Sequence, residues 1–458
     1  MRFAGAQPSS QPVVGSLNAV VIDGTTGHEL WGRSVNQRMF PASTTKIMTG
    51  LLAVEAGDLD SIVTISKRAE DVGETGLDLR AGETMPLRDL LQGALVWSAN
   101  DACVAIAEAV YGSLEDFVEH MNQRAQELGA NDTHFMNPHG LHDPEHYSTS
   151  HDLALIAAAA MRQPEFKKIV GSRHITLQRP TILASDLNKQ SSKNTVLSVP
   201  KTSGPLRGLE TYRPREFTNR NRLLLRWDQC TGVKTGYTRQ AGRCLVASCE
   251  IGTNTVVAVS LKAGDATVDC QNMLQWAQQN FKLSQVVKAG QTEQDWVAKV
   301  SDGVQRKIPL VAEQSVSLLV PAQGANIALQ AQLQPLQAPV QAKQQVGLLS
   351  VIYNGHPAMQ INLVSSKDVP LSFWGQVKHS QIPKTIIQCL LICAVGVLLV
   401  GTIAKAARTS RSGVAPRERT TDNRRPRERQ RSGRDRTRDE SRSRLQRNRR
   451  RRQTDQTE

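Results

Sequence analysis

Along the first part of the chain, hydrophobic positions alternate, then recur at helical spacing, then alternate again. Two short β-type runs, residues 17–22 and 28–31, flank a turn at Asp23-Gly24-Thr25-Thr26-Gly27 and predict a hairpin. Residues 44–56 then show apolar spacing of a buried helix, with Ile47, Leu51, Leu52 and Val54 at core positions. The same spacing predicts helices over 87–96, 102–111, 114–128 and 152–161. Residues 189–215 are polar, proline-containing and weakly periodic, as expected of an inserted loop. From Gly232 the period shortens: 243–250 and 255–261 read as strands, and 268–281 as a further helix. Strands at both ends with helices between predict an α/β (α+β) domain over 16–282, in which a mixed sheet joins the two ends and a helical cluster lies beside it.

After residue 283 the texture changes to short Val/Leu/Ile runs (316–320, 327–333, 346–353, 359–363) separated by Gly, Pro and Gln, which predicts a small all-β domain over 283–370. A linker is expected over 371–385. Residues 386–403 carry no charge and have Gln388 and Thr402 as polar exceptions, so a transmembrane helix is expected over 386–404. Phe373 and Trp374 stand upstream, where an interfacial aromatic belt is expected. Lys384 lies on one side of this run, and Lys405, Arg408 and Arg411 on the other. That imbalance predicts a single-pass protein with a cytoplasmic tail and everything before the span outside.

Charge is concentrated rather than spread. Of the formal +14, about +12 resides in 405–458, with about 20 Lys/Arg against 8 Asp/Glu. The remainder is nearly neutral, and its hydrophobic content suffices for a sizeable core. The tail is almost devoid of large apolar residues, so disorder is expected from 408 onward. It is read as an anionic-lipid and topology element rather than a nucleic-acid binder. Residues 1–15 include Arg2 but no apolar signal core, so they are read as a leader remnant with the true start expected upstream. The seven cysteines show no zinc-type spacing, and His134, His139, His142, His146 and His151 are spaced as in a loop; no metal or cofactor is called for. Cys230, Cys244, Cys249 and Cys270 are read as separate core thiols in preference to a disulfide.

Three strings carry the candidate chemistry: Ser43-Thr44-Thr45-Lys46, Ser98-Ala99-Asn100 and Lys234-Thr235-Gly236. In this order they read as SxxK, SxN and KTG, the set that builds a penicillin-sensitive serine acyl-transfer site. A serine hydroxyl needs a base, and on a helix Lys46 returns to the face of Ser43. Burial and a second cation, for which Lys234 is the candidate, would favour neutral Lys46. Ser98 is placed as a proton relay and Asn100 as a clamp on a substrate carbonyl. Lys234 and Thr235 suit a carboxylate, and Gly236 permits close backbone approach. Backbone N–H groups of Ser43 and Tyr237 are candidate oxyanion donors.

With these motifs, and with Pro41-Ala42-Ser43, His139-Gly140-Leu141, Asn219-Arg220-Asn221 and Val233 to Thr238 around them, residues 17–281 resemble the D-alanyl-D-alanine carboxypeptidase family, the low-molecular-mass penicillin-binding proteins. The resemblance implies a transpeptidase/β-lactamase-like fold and a serine-type carboxypeptidase acting in cell-wall remodelling. Its substrate would be a peptidoglycan stem peptide ending in D-Ala-D-Ala, and β-lactams its covalent inhibitors. It implies Ser43 as nucleophile, Lys46 as proton acceptor, Ser98 as relay, Asn100 as its polar partner and Lys234 as carboxylate binder. The 283–366 segment corresponds to the family's C-terminal β domain. Three features depart from the family: the long 189–215 stretch, a spanning helix in place of the usual amphipathic anchor, and the Arg-rich tail. A serine β-lactamase would need a deacylating glutamate between the second and third motifs, and none is identified. A catalytically silent scaffold would not need all of Ser43, Lys46, Ser98, Asn100 and Lys234.

Overall fold

In the computed structural model, which describes residues 11–180, 212–380 and 384–410, the N-terminal hairpin and the strands after Gly232 share one five-stranded sheet. Strand Asn18–Asp23 pairs antiparallel with Glu29–Arg33 on one side and with Asn254–Ala263 on the other. Gly242–Ile251 and then Gly232–Thr238 continue the sheet, also antiparallel, so Gly232–Thr238 lies at its edge. Side chains alternate between the two faces of a strand. Val20 and Ile22, with Val246, Val257 and Val259, enter the core shared with the helical cluster. Ala19 and Val21, with Ala247, Val256 and Ala258, pack with Cys270, Met273 and Leu274 of helix Ala266–Asn280. Covering both faces explains why Ala19 to Ile22 is an unbroken apolar run.

Helix Lys46–Glu55 is almost entirely buried. Gly50 lets its neighbours come close: a Cβ there would stand 2.8 Å from Phe166 and 3.1 Å from Leu95. Helix Asn100–Tyr111 and helix Ser150–Met161 flank it, the latter resting its run of alanines against the sheet.

Several expectations are refined. The helix expected over 44–56 opens as a 3-10 turn, Ala42–Thr45, before becoming α-helical at Lys46. The one expected over 87–96 is α-helical only over Leu87–Gln92 and widens into a π turn, Gly93–Trp97, which ends where Ser98 turns left-handed at φ 73°. Asn100, placed between helices from the sequence, is the first residue of the next one. Helices Pro164–Val170 and Arg222–Arg226 were not anticipated, being too short for a periodic signal. The end of the 189–215 stretch is strand rather than loop: Tyr212–Thr218 pairs with His174–Pro180 as a two-stranded ribbon that buries Ile175, Leu177 and Phe217. The rest of that stretch lies outside the described residues.

Residues 13–15, read as part of a leader, are bound into the domain. Val14 is buried, the Val14 carbonyl accepts from Arg33, and the Val13 carbonyl accepts from Asn272. The Asp269 carboxylate accepts from the Gly15 and Ser16 N–H groups and from Ser260 Oγ, tying the chain start to the sheet and to helix Ala266–Asn280. All seven cysteines are free thiols; Cys103, Cys230, Cys244, Cys249 and Cys270 are buried.

The helix expected over 268–281 stops at Asn280, and Phe281–Val287 continues as a strand paired with Val316–Pro321. A six-stranded sheet follows, with a core of Trp296, Ile308, Leu310, Leu349, Val351 and Leu363. Leu319 reaches into the core of helix Ala266–Asn280, and Tyr353 meets His28 edge-on with ring centroids 4.6 Å apart. Within 371–385, residues Phe373–His379 form a helix capped by Ser372. Helix Lys384–Ser410 contains a 19-residue apolar segment, Gln388–Ala406, with mean hydropathy 2.3, long enough to cross a membrane by length and composition.

Asp269→Ala leaves buried donors without an acceptor, and urea unfolding should show a loss of about 2–4 kcal/mol.

Candidate active site

Ser43 lies inside the 3-10 turn, directly after Ala42, whose φ of 49° is left-handed. A non-glycine residue there is strained. Two glycines press against this turn and leave it no room. A Cβ on Gly140, itself at φ 83°, would stand 1.9 Å from the Ala42 carbonyl oxygen. A Cβ on Gly236 would stand 2.9 Å from the Pro41 oxygen and 3.1 Å from the Ser43 nitrogen. The sequence reading gave Gly236 to substrate approach; in the structure its missing side chain also lets the KTG strand touch the serine turn. Because Gly232–Thr238 is an edge strand, its backbone edge beside that turn is not paired with another described strand.

Lys46 follows one turn after Ser43 and is wholly buried. Its Nζ lies 3.1 Å from Ser43 Oγ, 2.8 Å from Asn100 Oδ1 and 2.6 Å from the His139 carbonyl oxygen. Asn100 Nδ2 donates to the Gly73 carbonyl at 3.1 Å, which fixes its amide with the oxygen toward lysine. The Asn100 and His139 oxygens can only accept. A neutral amine has two N–H donors for them, which leaves its lone pair for the Ser43 hydroxyl. Burial lowers Lys46 to about 8, with Arg220 as the cation that adds to the effect. That differs from the sequence expectation, in which Lys234 had this role. Lys234 is instead itself pushed well below the ordinary lysine value, first by burial, then by Lys46 and Arg220. Its Nζ donates to the Thr235 carbonyl at 3.2 Å. Tyr237, further along the strand, has an exposed side chain.

Ser98 is nearly buried between the π turn and helix Asn100–Tyr111. Asp101 holds the facing loop through the Leu77 and Leu79 N–H groups, and the Asn100 N–H donates to the Thr75 carbonyl at 2.7 Å. Arg220, named from the sequence only as a landmark, emerges as part of the site's electrostatics. Its guanidinium lies 4.3 Å from the Trp97 ring centroid and donates to Thr75 Oγ1, while its N–H donates to the Val96 carbonyl. An arginine in an Asn-Arg-Asn string carries no spacing signal that would have found it.

The histidine-rich stretch buttresses the nucleophile helix. Thr49 Oγ1 donates to the Pro138 carbonyl, and His146 Nε2 meets Thr45 Oγ1 at 2.8 Å. His146 Nδ1 accepts from the Met136 N–H, so the proton of the neutral ring sits on Nε2 and is donated to Thr45. His139 Nδ1 likewise accepts from the Leu141 N–H. Burial pushes His139 down to about 3, with Lys46 adding to it, and His146 down to about 4.

The sequence model of the D-alanyl-D-alanine carboxypeptidase family matches residues 6–265, more than half of the chain. The chain belongs to the D-alanyl-D-alanine carboxypeptidase family. Residues 281–371 match the C-terminal domain of penicillin-binding protein 5. Among relatives, D-alanyl-D-alanine carboxypeptidase DacF of Bacillus subtilis is 30% identical over 363 residues, covering 77% of this chain and 85% of its own. DacD of Escherichia coli is 32% identical over 360 residues, covering 73% and 82%. Penicillin-binding protein 5 from Haemophilus influenzae superposes with a TM-score of 0.60 at 28% identity, over 79% of this chain and 99% of its own. Penicillin-binding protein 6B from Escherichia coli gives 0.54 at 28% identity, over 79% and 99%. The protein is thus a hydrolase of the carboxypeptidase class, with the penicillin-binding-protein fold and the family's C-terminal β domain.

Both buried histidines stay neutral in the folded protein, whereas in the unfolded chain they titrate near 6.5. Below that pH the unfolded state binds protons that the folded state refuses. Stability should therefore fall as pH drops from 6.5 toward 4, by about 1.4 kcal/mol per pH unit for each histidine. Thermal unfolding across that range checks the slope, and His146→Gln should reduce it. Gly140→Ala, which cannot keep the Ala42 turn in place, should cost at least about 3 kcal/mol in the same measurement.

Proposed function

We propose that the site cleaves the terminal D-Ala from peptidoglycan stem peptides through an acyl-enzyme on Ser43. The observation that carries this reading is the position of Lys46, buried, depressed to about 8 and 3.1 Å from Ser43 Oγ, with its other two partners able only to accept. Neutral Lys46 takes the hydroxyl proton as Oγ attacks the carbonyl carbon of the penultimate D-Ala. The backbone N–H groups of Ser43 and Tyr237 hold the oxyanion. Collapse of the tetrahedral species breaks the peptide bond, and the lysine proton passes through Ser98 to the departing D-Ala amine. Water then attacks the ester, Lys46 accepts its proton, and the Ser43 hydroxyl is restored. Lys234 and Thr235 bind the terminal carboxylate, and Asn100 orients Lys46 as well as the substrate amide. A β-lactam presents the same carbonyl and carboxylate, and would leave its acyl group on Ser43.

The proposed setting is the outer face of a membrane. Gln388–Ala406 would span the bilayer, with the basic tail on the cytoplasmic side against anionic lipid.

Incubation with a D-Ala-D-Ala peptide should release free D-Ala, whereas rapid penicillin turnover without D-Ala release would refute the assignment. Acylation should accelerate as pH rises through about 8, since Lys46 must lose its proton to act. Ser43→Ala should lose labelling by a fluorescent penicillin altogether, and Lys46→Arg should slow acylation by about 10²-fold or more.

A further inference from the structure

Among the described residues, two phenylalanine or tryptophan side chains are exposed: Phe373 at 71% and Trp374 at 64%. They are neighbours on one short helix, Phe373–His379, with ring centroids 5.5 Å apart. Val304, 63% exposed, lies on the segment that receives this helix, its N–H donating to the Pro370 carbonyl three residues before Phe373. This helix is clamped to the β domain rather than hanging from it. Asp302, left-handed at φ 59°, accepts from Lys378 Nζ at 3.0 Å, meets His379 Nε2 at 3.1 Å and accepts from Gln337 Nε2 at 3.1 Å. The Asp302 carbonyl accepts from the Ser372 N–H and hydroxyl. Gly375 makes the seat possible, since a Cβ there would lie 2.2 Å from that carbonyl oxygen. Several contacts thus hold an element whose two large aromatic rings face water.

Only residues 380–383 separate this helix from helix Lys384–Ser410, and four residues extend roughly 14 Å at most. In a membrane-inserted chain the aromatic pair is therefore tethered within about 30 Å of the start of the apolar segment at Gln388, close enough to reach the bilayer surface. Phenylalanine and tryptophan at that depth gain from burial among headgroups and upper acyl chains. Arg306, on the bend after Val304, and Lys307, which opens the next strand, are both exposed and supply charge for anionic headgroups. We propose that Phe373, Trp374 and Val304 form a lipid-docking foot, built into the β domain, that fixes how the catalytic domain stands on the membrane. The inference rests on the span proposed above for Gln388–Ala406.

The test uses the full chain in phosphatidylcholine vesicles with part of the lipid brominated on the upper acyl chain, a quencher of nearby indoles. The chain has six tryptophans, so the foot is read as the difference between wild type and Trp374→Phe, with peptide hydrolysis by the variant confirming an intact fold. The expected result is that bromolipid removes one tryptophan's share of wild-type emission and that the variant lacks this loss. Equal quenching in both proteins, with the span resistant to carbonate extraction, overturns the foot while leaving the span standing. Shielding of Trp374 from aqueous acrylamide without lipid quenching also overturns it, and assigns the patch to a protein partner or a second copy. Release of the chain by carbonate removes the span and the foot together.

Discussion

The position of one buried amine organises the catalytic domain. Taking an ammonium out of water costs several kcal/mol, and the fold offsets this by surrounding Lys46 with oxygens from three separate segments. The Ser43 hydroxyl comes from its own turn, Asn100 from the helix after the second motif, and the His139 carbonyl from the loop that follows. Burial holds the amine near the point where it can exchange a proton at neutral to mildly alkaline pH. A segment that withdrew would leave lysine either solvated, and hence protonated, or short of an acceptor. The geometry that depresses its basicity is also the geometry that points it at the serine.

Holding three segments on one atom requires backbone in unfavourable conformations. Ala42 and Ser98, each left-handed, stand next to or within two of the motifs. Gly140 and Gly236 are tight because the surrounding chain needs the space for main-chain atoms rather than for a side chain. The strain is maintained by ordinary packing around it: the Phe166 and Leu95 side chains against Gly50, Thr45 and Thr49 bonded to the histidine loop, and Asp101 gripping the Leu77 and Leu79 amides. Local preference is overridden where the site needs it, and a large core supplies the stability for that.

How much of this could be read from the sequence varies with the physics behind each element. Leu114–Glu127 was legible because its periodicity reflects one buried face, and Lys46–Glu55 because its apolar residues recur at helical spacing through a nearly buried helix. Partnering of the N-terminal hairpin with the strands after Gly232 was legible from the order of elements. The ribbon of His174–Pro180 with Tyr212–Thr218 was not, since its two strands are far apart in sequence and Ile175, Leu177 and Phe217 are too few apolar positions to stand out as a period. Ser43, Lys46 and Asn100 could be named because spacing on a helix or in a motif brings them together. Arg220 as the cation beside Lys46, and Gly140 as the stop under Ala42, depend on segments far apart in sequence. The Phe373–His379 helix was hidden for another reason: its stability comes from one carboxylate and one turn of the β domain, about 70 residues away.

The five buried thiols have a consequence for how this domain is made. Burial raises Cys103 and Cys244 to about 11 and Cys249 to about 12, with Cys230 and Cys270 also raised. In the finished fold almost no thiolate exists to attack an oxidant, and each sulfur is enclosed. The unfolded chain has neither protection, because its cysteines titrate near their ordinary value and meet solvent freely. In the outer-face setting proposed above, maturation would become a race. There the core would have to close around its sulfurs before they found one another, and the native state would be the reduced product of a compartment that favours the oxidised one.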